Sequence, residues 1–138
     1  MLFSEVMRRF FWHWLPPLAW MGLIFALSAQ PDLPHVEGRW LDVLLKKAGH
    51  AVVYGVLAWL YRRALRRHIP TGTVLRAVSI GLAVAYAASD EYHQTFVPGR
   101  NGNLVDVAID VVGACGAMLL ARWREGRQES PRPESVVR

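Results

Sequence analysis

Several ionisable residues recur at spacings that would place them on common faces of helices. Lys47, His50 and Tyr54 are separated by three and four residues, and Asp106 and Asp110 are four apart. At about 100° per residue, such offsets put each group on one side of its helix. Imidazole and carboxylate groups exchange protons, pair with charged ligands or bind cations. The pattern therefore indicates a polar site assembled from more than one helix.

A second polar segment combines Asp90, Glu91 and Gln94 with Arg100 in the short connection that follows. The connection contains Pro-Gly and Asn-Gly pairs, which favour tight turns, and its last residue, Asn103, is a suitable helix cap. Two roles for Arg100 remain open. It could pair with a neighbouring carboxylate, Asp106 or Glu91, or offer its guanidinium fork to a phosphate or carboxylate of a ligand.

Four apolar stretches must position these residues, and they cover about 10–29, 44–61, 75–89 and 104–121. The 138-residue chain is 53% hydrophobic. Four spans of roughly 20 residues each would use most of its length, which excludes a large catalytic domain outside the membrane. We predict an all-α integral membrane protein, a four-helix transmembrane bundle over 1–121. The polar remainder, 122–138, is expected to form a disordered cytoplasmic tail.

The distribution of positive charge predicts the orientation of the bundle. Twelve Lys and Arg residues lie before the first stretch, around the connection between the second and third stretches, and in the tail. Only four lie around the other two connections, namely Arg39, Lys46, Lys47 and Arg100. The positive-inside rule then places both termini in the cytoplasm of a bacterial cytoplasmic membrane. The ends of the spans that carry the polar residues would face outward. The first span is preferred to a cleaved signal peptide because its apolar run is too long for one.

Composition also narrows the class of function. The net charge is +5, but the arginines flank apolar runs, so no nucleic-acid partner is expected. The single cysteine, Cys115, cannot form an intrachain disulfide. No His/Cys cluster has structural zinc spacing, and neither a metal nor a cofactor is predicted.

Structural interpretations of the polar residues remain alternatives. Asp106 could favour a helix N-terminus through the helix dipole, and His50 could hydrogen-bond to Tyr54 in a purely structural role. Asp110 lies deeper in its span, where a charge is expensive and usually functional. Charges close enough to span ends to be ordinary interfacial residues are Lys46, Lys47 and Asp90. The predicted functional cluster comprises Lys47, His50, Tyr54, Asp90, Glu91, Gln94, Arg100, Asp106 and Asp110.

Four motifs in this order resemble the VanZ-like family of small bacterial membrane proteins, which takes its name from a teicoplanin-resistance protein. Asp110 is a departure, since the family pattern usually resembles Asp-x-x-x-Asn-x-x-Gly. The matching motifs are Phe25-x-x-Ser28-x-Gln30-Pro31, Lys47-x-x-His50-x-x-x-Tyr54, Asp90-Glu91-x-x-Gln94-x-Phe96-x-Pro98-Gly99-Arg100 and Asp106-x-x-x-Asp110-x-x-Gly113.

The resemblance implies a role in the cell envelope and, in some members, lowered susceptibility to teicoplanin-type glycopeptides. The leading hypothesis is recognition of a lipid head group, a lipid-linked cell-wall component or a lipoglycopeptide, with membrane lipids as partners and a homo-oligomer as an option.

The alternative is a membrane-embedded hydrolase or transferase acting on a lipid-linked substrate. Its acid/base groups are present, and a carboxylate and imidazole metal site is compatible with the composition. No Ser or Cys nucleophile has an evident base, however. A proton-coupled transporter ranks last.

Overall fold

Four long α-helices make up the chain in a computed structural model that describes residues 2–31, 38–100 and 102–128, with no strand in these ranges. The helices are α1 (Leu2–Ser28), α2 (Arg39–Leu65), α3 (Thr73–Gln94) and α4 (Leu104–Gln128). Each contains a segment long and apolar enough to cross a membrane. The predicted all-α architecture with four spanning helices is confirmed, and the chain is a membrane protein.

All four helices are longer than the predicted spans, and the added turns contain charged residues. In α2, the Lys46 ammonium lies 2.7 Å from the Asp42 carboxylate one turn earlier, a pairing that supports the first turns of the helix. α4 continues to Gln128, so the first part of the expected disordered tail, 122–128, is helical. The rest of that tail, 129–138, lies outside the described residues.

The closest helix packing joins α2 to α4. A Cβ atom built on Gly113 would overlap the backbone carbonyl of Ala51, and one built on Gly55 would lie 3.0 Å from the carbonyl oxygen of Gly113. Only a residue without a side chain permits this separation, which is the means by which small residues bring membrane helices together. This contact therefore fixes the register of α2 against α4.

The remaining helices pack around that pair. α3 packs on both α2 and α4, whereas α1 packs on α2 and touches α3. The indole nitrogen of Trp20 in α1 donates to the backbone carbonyl of Val53 at 3.0 Å, and the Tyr86 hydroxyl donates to that of Met21 at 2.7 Å. Such polar links stabilise helix pairs in an apolar surrounding. The buried core lies between them and includes Tyr54, Leu57, Ala58, Ala83, Ala87 and Ala114.

A basic end of the bundle is formed where α2 ends and α3 begins. The carboxylate of Glu125 accepts hydrogen bonds from the guanidinium groups of Arg62 and Arg76, the second at 3.0 Å. Arg62 is 7% exposed. One carboxylate thus holds the ends of three helices together. A cavity of about 260 Å³ lies beside it, lined by His13, Trp59, Arg62, Arg63, Arg66 and Arg67.

Candidate functional site

A cavity of about 470 Å³ opens at the opposite, polar end of the bundle, where α3 ends and α4 begins. Its apolar wall comes from Ile24 and Leu27 of α1 and from Val43 and Val53 of α2. Its polar wall comes from all four helices and from the loop after α3. The polar lining residues are Ser28, Lys46, Lys47, His50, Tyr54, Asp90, Gln94, Arg100 and Asp106.

The deepest polar contact joins α2 to α4. His50 Nδ1 lies 3.2 Å from Asp110 Oδ1, and the Asp110 side chain is only 1% exposed. The two residues sit next to the close packing of Ala51 on Gly113, one and three positions away in sequence. The tight backbone approach therefore sets the distance between the imidazole and the carboxylate.

A second ion pair lies about one helical turn nearer the helix ends. The Lys47 ammonium is 3.0 Å from Asp106 Oδ1, and the two side chains are 38% and 25% exposed. This exposure makes the pair weaker than a buried one and suits the rim of a cavity. Asp106 thus engages Lys47, and among the described residues it forms no ion pair with Arg100.

Glu91 anchors the loop between α3 and α4. The backbone N–H of Asn103 donates to Glu91 Oε2 at 2.8 Å, and the side-chain amide of Gln94 donates to Glu91 Oε1 at 3.3 Å. A Cβ on Gly102 would overlap the carbonyl of Glu91, so this close approach requires glycine. Asn103 also accepts the N–H of Val105 at 2.9 Å, which confirms its predicted role as a cap.

Several polar atoms of this end are buried and have no hydrogen-bond partner among the described residues. They are Ser28 Oγ, Tyr54 OH, Asp90 Oδ1, His93 Nδ1, Arg100 Nε and Asp110 Oδ2. Buried polar atoms are normally paired, so a cluster of unpaired ones in one place is unusual. These atoms retain unused hydrogen-bonding capacity.

Comparison with known protein families decides the membership of the chain. The sequence profile described as VanZ/LLP1 matches residues 4–125 of the 138. The chain belongs to this family. The resemblance predicted from the four motifs is therefore confirmed. Neither the search of curated proteins nor the search of solved structures gave a match.

In this VanZ/LLP1 protein the nine predicted site residues lie at one end of the bundle. Seven of them line the cavity, and the other two, Glu91 and Asp110, stand behind it in contact with Gln94 and His50. His50 faces Asp110 rather than hydrogen-bonding to Tyr54, whose hydroxyl is unpaired. The structure thus brings the predicted residues together, while their role in binding remains a prediction.

Some residues of the VanZ/LLP1 site were missed by sequence reasoning. Ser28 was noted only as part of a motif, yet it lines the cavity and is 4% exposed. A lone serine in an apolar run before Gln30-Pro31 was the available signal. Gly102 was read only as a turn residue, because its contact with the Glu91 carbonyl depends on how the loop folds back.

This VanZ/LLP1 site presents charged groups that can bind ions, and no side-chain nucleophile is paired with a base among the residues that the structure describes. The described residues include no hydrogen bond between a Ser or Cys side chain and His50. Cys115 lies on α4 beyond the polar residues. Without a nucleophile beside a base, the arrangement does not favour the hydrolase or transferase interpretation.

Proposed function

We propose that this VanZ/LLP1 protein recognises the anionic head of a lipid-linked or cell-wall-related ligand at the bacterial cell envelope. The observation that carries the proposal is the composition of the cavity, which joins an apolar wall at Ile24 and Leu27 to a cationic group, Arg100. An amphiphile presents these two features together, a hydrocarbon chain and a charged head.

The cationic wall supplies specificity for the head group. Lys47 is already paired with Asp106, so Arg100 is the lining cation best placed to take a new anion. A guanidinium binds phosphate or carboxylate with two parallel hydrogen bonds, which fixes orientation as well as charge. The unpaired hydroxyls of Ser28 and Tyr54 could bind further polar atoms of the head group.

The apolar wall supplies affinity for the chain of the ligand. A ligand that reaches the site from the bilayer starts in hydrocarbon, so little apolar surface is removed from water when it binds. The favourable binding free energy of its chain then comes from packing against α1 and α2. This favours a lipid-linked molecule over a free soluble anion.

The location follows from the charge distribution. We place the protein in the bacterial cytoplasmic membrane with both termini in the cytoplasm, because the arginines of the second connection and those in the last turns of α4 concentrate at the basic end. The cavity then opens on the outer side, where cell-wall precursors and glycopeptides meet the membrane. A role in lowering susceptibility to teicoplanin-type glycopeptides is consistent with this placement.

The experiment is to express the protein in a sensitive Gram-positive host and to measure teicoplanin and vancomycin susceptibility. Glu91→Gln and Arg100→Ala are compared with wild type at matched membrane levels. Glu125→Gln, the same carboxylate-to-amide change at the basic end, is the control. We expect selective protection that both polar-end variants lose and the control keeps.

Two results would contradict parts of this proposal. Absence of protection by the wild-type protein would remove the resistance role and direct the search to another envelope ligand. Protection that persists in Glu91→Gln and Arg100→Ala would remove the polar-end cavity from the account.

A further inference from the structure

Three side chains at the polar end lie close enough to share one ion. One donor atom each from His50, Glu91 and Asp110 lies within 4.8 Å of the others, and the residues come from α2, α3 and α4. An imidazole and two carboxylates form a donor set that suits Zn²⁺ or Mn²⁺. We infer that these three residues bind a divalent metal ion of this class. The inference stands apart from the proposed lipid-linked ligand.

The charge balance of the site supports a cation. Asp90, Glu91 and Asp110 are 4%, 5% and 1% exposed, and among the described residues none of them forms an ion pair with a lysine or arginine. Their polar partners are the Gln94 amide, the Asn103 N–H and the His50 imidazole. The imidazole can supply at most one positive charge, and uncompensated buried charge is costly. A divalent ion supplies two.

Unpaired buried oxygens provide a second, independent observation. Asp110 Oδ2 has no hydrogen-bond partner although its side chain is 1% exposed. The Tyr54 hydroxyl is also unpaired, and its ring stacks 6.5 Å from that of His50. A carboxylate that served only as a structural partner of His50 would not leave its second oxygen buried and unpaired.

The distances require only a modest side-chain adjustment. Donor atoms around one zinc ion with bonds of about 2.1 Å are separated by about 3.4 Å. His50 Nδ1 and Asp110 Oδ1 already lie 3.2 Å apart. The Glu91 carboxylate, with a donor atom within 4.8 Å of the other two, is oriented by the Gln94 amide and the Asn103 N–H. Such outer hydrogen bonds normally hold metal-binding carboxylates.

Since His50 also lines the cavity, the bound ion would lie beside the cavity. Three protein donors leave a coordination position open, as in zinc sites that accept water or an external ligand. Metal binding can therefore be measured on the protein alone, without any lipid, and its failure would be distinct from failure of the proposed function.

The test uses purified tag-free protein in detergent, stripped with a chelator and titrated with Zn²⁺ or with Mn²⁺. Elemental analysis gives the stoichiometry and calorimetry the affinity. Asp110→Asn is compared with Glu125→Gln, a carboxylate-to-amide change on the same helix at the basic end. We expect one ion per wild-type chain, unchanged binding in Glu125→Gln, and affinity weakened by about tenfold or more in Asp110→Asn.

A substitution at a second proposed metal-binding residue distinguishes loss of metal binding from misfolding. Glu91→Gln should weaken binding as Asp110→Asn does, and thermal unfolding of each metal-free variant shows whether it is folded. Cobalt substitution should give a visible absorption spectrum in wild type that both ligand variants lose. The inference is overturned if wild type binds neither ion, or if folded Asp110→Asn and Glu91→Gln retain wild-type affinity. Equal loss in folded Glu125→Gln would also overturn it.

Discussion

The two ends of this bundle treat buried charge in opposite ways. At the basic end a single carboxylate, Glu125, is shared by the guanidinium groups of Arg62 and Arg76. At the polar end the buried carboxylates of Asp90, Glu91 and Asp110 face one imidazole and otherwise uncharged donors. The carboxylate of the basic end thus has cationic partners within the chain, and the remaining arginines there suit a membrane surface.

The difference separates a structural cluster from a candidate ligand site. Both ends join three helices through charged side chains, so the presence of charge alone does not distinguish them. Both ends also hold a cavity and buried polar atoms without a partner, which at the basic end are Arg62 Nε and His13 Nδ1. The polar end differs in that its unpaired atoms include carboxylate oxygens of Asp90 and Asp110, and in that its cavity is larger and has an apolar wall. Buried carboxylate oxygens without partners are the feature that a purely structural role leaves unexplained.

The largest expected effect concerns which end faces outward. In a Cys115→Ala background, a cysteine is introduced at Phe96, in the loop of the polar end, or at His68, in the connection of the basic end; both positions are exposed. A membrane-impermeant maleimide applied to intact cells should label Phe96→Cys and leave His68→Cys unlabelled until the cells are permeabilised. The reverse pattern would place the cavity inside the cell and contradict the proposed function.

The next effect tests whether the close α2–α4 contact, which connects the two ends, stabilises the bundle. Gly113→Ala forces a Cβ into the Ala51 carbonyl, and overpacking of this kind costs about 1–3 kcal/mol. Gly116→Ala on the same helix is the control, since its added Cβ meets nothing within 4 Å. Thermal unfolding in detergent should show a lower midpoint for Gly113→Ala alone. Equal unfolding midpoints for the two variants would contradict the claim that the contact between Gly113 and Ala51 stabilises the bundle.

A smaller effect compares charge removal at the two ends. Glu125→Gln weakens charge-assisted hydrogen bonds to Arg62 and Arg76 and should lower the free energy of unfolding by about 1–2 kcal/mol, a value reduced because Glu125 is 29% exposed. Asp110→Asn keeps an acceptor for His50 and removes one of several like charges, so metal-free protein should lose no stability. Equal destabilisation by both changes would show that the polar end is balanced like the basic one.

Much of the fold could be predicted from the sequence because four apolar stretches leave few alternatives in a membrane. The ends of the helices were predicted least accurately. The predicted spans stop at charged residues, yet α3 continues through Asp90 and Glu91 to Gln94, and both carboxylates are buried within the bundle. Likewise α4 runs past 121 because Glu125 joins two arginines of other helices.

The composition of the candidate site was predictable, but its pairings were not. Helical spacing placed Lys47, His50 and Tyr54 together, and all three line the cavity. Which carboxylate each cation contacts depends on the register of α2 against α4, which is set by backbone contact at Gly113 rather than by any charge. Pairing of Arg100 with Asp106 was one of the roles left open by the sequence, and in the structure the Asp106 carboxylate pairs with Lys47 instead.

The most direct test of the central claim is a binding measurement on purified protein. A polyprenyl-diphosphate-linked cell-wall precursor is titrated in mild detergent and followed by native mass spectrometry. Arg100→Gln is compared with Arg66→Gln, the same change in the cavity of the basic end. Loss of a charge-assisted contact of about 1.5–3 kcal/mol should weaken binding roughly tenfold or more in Arg100→Gln only. Equal affinity in both variants, or no binding to wild type, would contradict the account.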